Sequence, residues 1–324
     1  MNQTRQIYTG QDVAFIIPTK DRPGKVKTVL NSLARQSVQC GRVIVVDGGQ
    51  SVKDIVMCFG DRLPVEYYKC YPPGQIRQRN MAISLLDDRT PLVGLLDDDI
   101  VVETQALKSM ITFWNKCEPD TAGVSFNIVN KHSTFPAWAK AVIKTSFPQQ
   151  GRVLCSGYNI SIEDVSTDLK TQWLCGGATV WRQEILKKYS NKEISSRWAT
   201  CEDVIFSYPI GKRFSLYVCA DAKVRHEHVY DHKTKMKYRY YGRTLILWRL
   251  YFVESHVELS RKLFLLMASG EIAARLMTGI LSLRVRHIQY AIGQLEGAVI
   301  GLTALLRGSN LLSLLNEHTI SNQK

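Results

Sequence analysis

Three consecutive carboxylates, Asp97, Asp98 and Asp99, follow directly on the apolar run Leu92–Leu96. Adjacent carboxylates repel one another, so such a group is stable chiefly when a divalent cation or several donors neutralise it. A hard ion held there, Mg²⁺ or Mn²⁺, would bridge the two phosphates of a nucleoside diphosphate and stabilise that group as it leaves. The same residues also read as a solvated acidic turn, or as a cap favoured by the positive end of a helix beginning near Thr104. A second acidic pair, Glu202-Asp203, sits in WATCEDVIF between aromatic and apolar residues. A carboxylate in such a partly apolar setting has its pKa raised toward the range of a general base. The alternative is a helix N-terminus capped by Thr200.

Other residues extend the list. Asp47 ends the run RVIVVD before two glycines, where it can accept a hydrogen bond from a base N–H, such as N3 of uracil or thymine. Asp-Gly-Gly is also an ordinary turn. Lys20, Arg22, Arg77 and Arg79 fall in loops or at a helix start. Guanidinium groups suit bidentate phosphate contacts, with plain surface solvation as the alternative for each. His226 and His228 occupy alternate positions of an extended segment, so both rings point the same way, as metal coordination requires. Cys175-Gly176-Gly177-Ala178 reads as a tight bend where backbone approaches something closely.

These groups need a frame. The apolar runs at residues 13–18, 42–47 and 92–96 predict strands, and Val26, Leu30 and Leu33 recur at helical spacing after the first. A weaker strand is expected at 65–68 and a helix at 75–86. Strands apolar throughout, alternating with amphipathic helices, predict an α/β fold with a mostly parallel sheet covered on both faces. Ligands of such sheets bind outside the carboxyl ends of the strands, where the segment Thr19 to Arg22, Asp47 and the three aspartates all fall. Residues 120–200 mix short strand-like pieces with loops. A short helix is expected from Glu202 to Ile210 and a strand from Ser215 to Ala220. After about Tyr240, Leu, Ile, Met and Arg recur at helical spacing, which predicts two or three helices.

Composition sets the outer limits. A chain of 324 residues that is 45% hydrophobic forms one large domain with an appendage or two modest ones, and disorder is excluded. The net charge of +13 favours phosphate-bearing partners: a nucleotide, a nucleic acid or an anionic membrane face. No nucleic-acid module is recognisable, so no nucleic-acid partner is expected. Eight cysteines without a CxxC pair, and a start without a signal-peptide core, lead to the expectation of a reducing cytoplasm. No window of about 18 uncharged apolar residues is found, so no membrane crossing is expected. From Pro209 to Lys262, 12 Lys or Arg stand against 5 Asp or Glu, with tyrosines and a tryptophan between them. That stretch suits the cytoplasmic face of an anionic membrane, to which the chain would bind peripherally, a homo-oligomer interface or a plain solvated face.

The segments FIIPTKDRPGKVKTVLNSLARQ, VIVVDGG, IRQRNMAI, LVGLLDDDI, CGGATVWRQEI and TCEDVIFSYPIGK, in this order, resemble the family 2 glycosyltransferases, which have the GT-A fold. The resemblance implies a catalytic domain over residues 10–235 and a C-terminal helical region over 236–324. It implies transfer of a sugar from a nucleotide-diphosphate donor, UDP or dTDP favoured, to a hydroxyl of a glycan or lipid-linked acceptor, with inversion. Asp47 would hold the base, Asp97 or Asp98 the ribose, and Asp99 the Mn²⁺ or Mg²⁺ with help from His226 or His228. Pro18, Thr19, Lys20, Arg22, Arg77, Arg79, Gly176 and Gly177 would complete the donor site. Asp203, beside Glu202, would be the general base. The Gln-x-x-Arg-Trp element of processive members is absent, Trp248-Arg249 lying downstream without it, so a single addition is expected. The alternatives are an inactive nucleotide-sugar-binding scaffold of the same fold, and a sugar nucleotidyltransferase, which should show a Gly-rich loop where TKDRPG stands.

Overall fold

The computed structural model describes residues 6–130, 149–189, 192–193, 200–227 and 238–320. They form two compact units: residues 1–152, 161–193 and 206–228 make the first, and 153–160, 194–205 and 229–324 the second. The second unit thus gathers two short stretches from the earlier part of the chain as well as the C-terminal helices.

The first unit is built on a nine-stranded sheet. Its strands are β1 (Val13–Thr19), β2 (Arg42–Asp47), β3 (Val65–Lys69), β4 (Leu92–Leu96), β5 (Ile100–Val102), β6 (Thr121–Ile128), β7 (Leu169–Thr171), β8 (Ala178–Arg182) and β9 (Ser215–His226). The order is β3-β2-β1-β4-β8-β6-β9-β5, with β7 also paired to β9. From β3 to β4 every pairing is parallel, as the unbroken apolar runs predict. Beyond β4 the sheet is mixed: β8 runs antiparallel to both β4 and β6, β9 parallel to β6, and β5 and β7 antiparallel to β9. The chain lays down β1, β2 and β3 in one direction and then returns to place β4 on the other side of β1. That reversal opens a crevice at the carboxyl ends of β1 and β4.

Strand β1 is buried along its whole length. Phe15 and Ile17 face one layer, with Val26, Leu30 and Leu33 of α1 (Pro23–Ala34) and Leu107, Met110 and Trp114 of α4 (Ala106–Trp114). Ala14 and Ile16 face the other, with Ala82 of α3 (Gln75–Ser84), Trp181 of β8 and Ile185 of α5 (Gln183–Lys188). Full burial of one such large apolar side chain contributes about 1.5–3 kcal/mol, so covering both faces fixes the sheet rigidly under the crevice. Pro23 at the start of α1 has a φ already set for a helix. A short α2 (Lys53–Met57) follows β2. The eight cysteines form no disulfide.

The second unit is helical: α7 (Tyr238–Glu254), α8 (Arg261–Leu281), α9 (Val285–Leu306) and α10 (Leu311–Ile320). Four helices stand where two or three were expected, because three-residue and four-residue links at 282–284 and 307–310 break the periodicity too briefly to register. Ile246, Leu250 and Val253 of α7, Phe264 and Ala268 of α8, Ala304 of α9 and Leu311 of α10 form its core. Helices α7 and α9 meet backbone to backbone: a Cβ at Gly293 would overlap the carbonyl of Arg239, and one at Gly297 would lie 2.6 Å from that of Arg243. Ser260 caps α8, its hydroxyl accepting from Leu263 N at 3.3 Å. By length and composition α8 is also apolar enough to cross a membrane, with a mean hydropathy of 1.4 over its 18-residue window. It does not supply a window of about 18 uncharged apolar residues, the criterion on which the sequence-based expectation rests. Glu271 and Arg275 are the reason: they interrupt the apolar run but pair with each other one turn apart, at 2.9 Å. Helix α6 (Glu202–Gly211) begins in the second unit and ends in the first.

Candidate active site

The three aspartates occupy the turn from β4 to β5, closed by Ile100 N donating to Asp97 O at 3.1 Å. Each carboxylate is held by donors from elsewhere in the chain, and Arg22 serves two of them. Asp97 accepts from Arg79 at 2.7 Å and from Gln75 at 2.8 Å. Asp98, buried, accepts from the Thr19 hydroxyl at 2.7 Å and from Arg22 at 2.6 Å. Asp99 accepts from Arg22 at 2.8 Å and lies 3.0 Å from His226 Nε2. Mutual repulsion of the acids is thus relieved by protein cations before any metal enters, an arrangement that adjacency in the sequence does not disclose.

Topology explains the convergence. Thr19 is the last residue of β1 and Arg22 precedes α1, so both stand at the crevice. His226 ends β9 directly opposite Ile100 of β5, which brings an imidazole from far along the chain to Asp99. Asn130 clamps the His226 backbone, donating to its carbonyl at 3.0 Å and accepting from its N–H at 2.8 Å. Burial pushes the Asp98 carboxyl up to about 6, against the Thr19 hydrogen bond and the Arg22 charge, with Asp99 and Asp97 adding to the rise. Burial acts on Asp99 in the same sense, but His226 and Arg22 outweigh it and hold that carboxyl well below the usual range.

Asp47 is fully buried at the end of β2. Its oxygens accept from Gly49 N at 2.8 Å, Val52 N at 3.3 Å, Tyr67 Oη at 2.8 Å and Lys69 Nζ at 3.0 Å. Burial pushes its pKa up, and these donors pull it to a net position below the ordinary carboxylate value. Four donors fill the roughly four lone-pair sites of a carboxylate. A base N–H can therefore reach Asp47 only if one donor gives way, and Lys69, 48% exposed, is the one placed to do so. Tyr67 and Lys69 were not among the sequence candidates, although the register of β2 with β3 pairs Asp47 with Lys69. Nor were Gln75 and Gln78. Gln78 donates to the carbonyls of Thr19 at 2.8 Å and Val46 at 2.6 Å, tying together the ends of β1 and β2.

Gly176 and Gly177 form the turn into β8, and Asp97 N donates to Gly177 O at 2.8 Å. A Cβ at Gly177 would overlap the Asp97 carboxylate, so the bend anticipated at CGGA is the place where β8 passes the acidic turn. Pro18, buried in β1, pairs with Val46. Lys20 is exposed in the loop after β1. Arg77 pairs with Glu193 at 2.9 Å, both partly exposed, whereas Arg79 is buried against Asp97. The structure thus brings Thr19, Arg22, Arg79, Asp97, Asp98, Asp99, Gly177 and His226 together. His228 lies outside the described residues.

Within the second unit, Glu202 is buried and Asp203 half-buried in the first turn of α6. Cys201, just before them, has φ 61°, a left-handed conformation uncommon for a residue with a side chain. Burial raises the Cys201 thiol; Arg249 opposes this, while Asp203 and Glu271 add to it. Arg249 donates to Gly157 O at 2.8 Å and lies 4.2 Å over the ring of Tyr158. Arg249 and Asp203 thus both act on the Cys201 thiol, from opposite sides of its charge balance.

The donors at the acidic turn have the chemistry that a divalent ion takes once Arg22 moves aside. The Asp99 carboxylate and His226 imidazole are a hard oxygen and a nitrogen ligand 3.0 Å apart. Among the described residues no group of three or more His, Cys, Asp or Glu side chains is arranged to hold an ion alone. Two protein ligands suffice for a cation whose other positions are filled by phosphate oxygens and water, the usual habit of Mg²⁺.

The sequence matches glycosyl transferase family 2 over residues 14–190. No curated protein matches the chain. Among solved structures, the Pyrobaculum calidifontis mannosyltransferase PcManGT in complex with GDP-Man and Mn²⁺ superimposes with a TM-score of 0.56 at 12% identity, covering 93% of this chain and 91% of that one. S. aureus TarS 1-349 in complex with UDP gives 0.48 at 18% identity, covering 74% of this chain and 65% of that one. The S. aureus TarS crystal structure gives 0.49 at 14% identity, covering 87% and 54%. The chain spans between about half and two thirds of these two TarS chains. At such identities the likeness is one of fold, the GT-A fold.

Proposed function

Given that the chain belongs to glycosyl transferase family 2, we propose that it is an inverting, single-addition enzyme that moves a sugar from a nucleoside-diphosphate donor to a hydroxyl of a glycan or lipid-linked acceptor. The observation that carries this reading is the convergence of Thr19, Arg22, Arg79 and His226 on the three aspartates at the β1–β4 crevice. Asp47 and its donors hold the base, with Lys69 displaced. The base N–H pairs with one carboxylate oxygen, a pattern met by uracil and thymine and in similar form by guanine. Arg79 orients Asp97 toward the ribose. Arg22, released from Asp98 and Asp99, turns its guanidinium to the diphosphate.

Asp99 and His226 would hold a Mn²⁺ or Mg²⁺, which neutralises charge developing on the departing diphosphate. Asp203 accepts the proton of the acceptor hydroxyl. The oxygen attacks the anomeric carbon as the bond to the phosphate oxygen breaks, and the diphosphate leaves with the bonding electrons. One displacement inverts the centre. Asp203 is half-buried in the first turn of α6, within reach of the general-base role that carboxylates fill. The test is a transfer assay with a panel of UDP, dTDP and GDP sugars and Mn²⁺, read together with the thermal shift each donor causes. A donor that raises the melting temperature and is turned over supports the reading. Binding without turnover across acceptors, unchanged by Asp203→Asn, would leave a donor-binding protein instead.

A further inference from the structure

Helices α8 and α9 each bury one face and leave the other bare. On α8 the inner face is Phe264, Ala268 and Gly279; on α9 it is Tyr290, Ala291, Gly293 and Gly297. The outer face of α8 carries Leu266, Met277 and Ile280, and that of α9 carries Ile292, Leu295 and Val299, all exposed. These residues recur at three-residue and four-residue steps or their sums, so each set forms one stripe along its helix. Leu283 and Val285, at 88% and 63% exposure, continue the apolar surface across the link between the helices. Only 17% of the apolar window of α8 is buried. Exposed apolar stripes along two helices of 21 and 22 residues are the kind of surface that marks an interaction site.

The charges around this surface say what covers it. Lys262, Arg284, Arg286 and Arg307 stand exposed at the helix ends. The acids of the two helices point elsewhere: Glu271 pairs with Arg275, and Glu296 with Arg239. A second copy of the chain related by a twofold axis would press the patch against itself, setting one cationic rim against another. An anionic lipid surface would pair with that rim while the stripes enter the acyl boundary.

The geometry also selects lying over spanning. Midway along α8, Glu271 accepts from Tyr158 Oη at 3.1 Å, and the Arg275 guanidinium lies 3.9 Å over the Tyr290 ring. A spanning α8 would have to leave these partners and carry an ion pair into hydrocarbon. We propose that the outer face of α8 and α9 docks in the plane of an anionic bilayer, with both helices parallel to the surface. This holds whether or not the chain transfers a sugar.

The test is flotation of the full chain with vesicles of phosphatidylcholine alone and of phosphatidylcholine mixed with phosphatidylglycerol. Wild type is expected to float with the anionic vesicles, less so at high salt. The double variant Leu266→Glu/Ile280→Glu should lose most of this binding with its circular dichroism unchanged, both positions being exposed. Arg284→Gln and Arg286→Gln should each weaken anionic binding about fivefold. Failure of wild type to float, or equal flotation of the double variant, would overturn the proposal. So would a dimer by light scattering that the double variant dissolves while vesicles bind neither form. Retention in the membrane after alkaline carbonate washing would overturn the in-plane arrangement.

Discussion

Replacing Arg22 with methionine should tighten divalent metal binding in the absence of nucleotide. The Arg22 guanidinium spans Asp98 at 2.6 Å and Asp99 at 2.8 Å, so a cation arriving at Asp99 must first displace it. Each charge-assisted hydrogen bond is worth about 1.5–3 kcal/mol. Because Arg22 is 41% exposed, solvent screens each of the two bonds to about half of that value. A total of about 1.4–2.8 kcal/mol remains, which corresponds to about 10-fold to 100-fold in the dissociation constant. Isothermal titration of Mn²⁺ into wild type and Arg22→Met, at a pH where both are folded, measures it. With UDP or another bound nucleoside diphosphate the advantage should shrink or reverse, since Arg22 then serves the phosphates. Equal Mn²⁺ affinity of the two proteins without nucleotide would refute the idea that Arg22 occupies the metal's place. Weaker binding by the variant would show that it helps hold the ion.

Four further outcomes are expected. Asp99→Asn and Asp203→Asn should each lower the transfer rate, Asp203→Asn by about 10²-fold to 10⁴-fold as for loss of a general base, with thermal unfolding showing the fold retained. Chelation should abolish the wild-type rate and added Mn²⁺ restore it. Gly177→Ala should displace the Asp97 carboxylate from Arg79, destabilising by about 1–3 kcal/mol and weakening nucleotide binding, both read from thermal shifts. Asp47 is held below its ordinary pKa, so it contributes stability that is present above the unfolded carboxylate value and lost as pH falls through the lower folded one. Denaturant midpoints in that acid window should fall less steeply for Asp47→Asn than for wild type.

The parallel half of the sheet was legible because a strand covered on both faces must be apolar along its middle, and 13–18, 43–46 and 92–96 are. The mixed half was not. Whether β8 runs up or down between β4 and β6 depends on long-range pairing that leaves no local period. The acidic turn was legible as a place but not as a circuit. Nothing in the order Asp-Asp-Asp says that the first acid turns to Arg79, the second to Thr19 and the third to His226, since those partners come from three other elements. Lys69 was missed because β3 is only half-buried and reads weakly, so its register against Asp47 was invisible. The bare face of α8 was missed for a related reason: a helical period marks an apolar stripe without saying whether protein lies against it.

The glycines where α7 meets α9 bear on how the second unit opens. With backbone touching backbone at Gly293 and Gly297, there is little side-chain slack between these helices, and neither can loosen by rotamer changes alone. Helix α8, bare along most of its length, lacks that restraint. Amide hydrogen exchange should therefore divide the helices, with α7 and α9 protected together to the level of global unfolding and α8 exchanging through smaller, local openings.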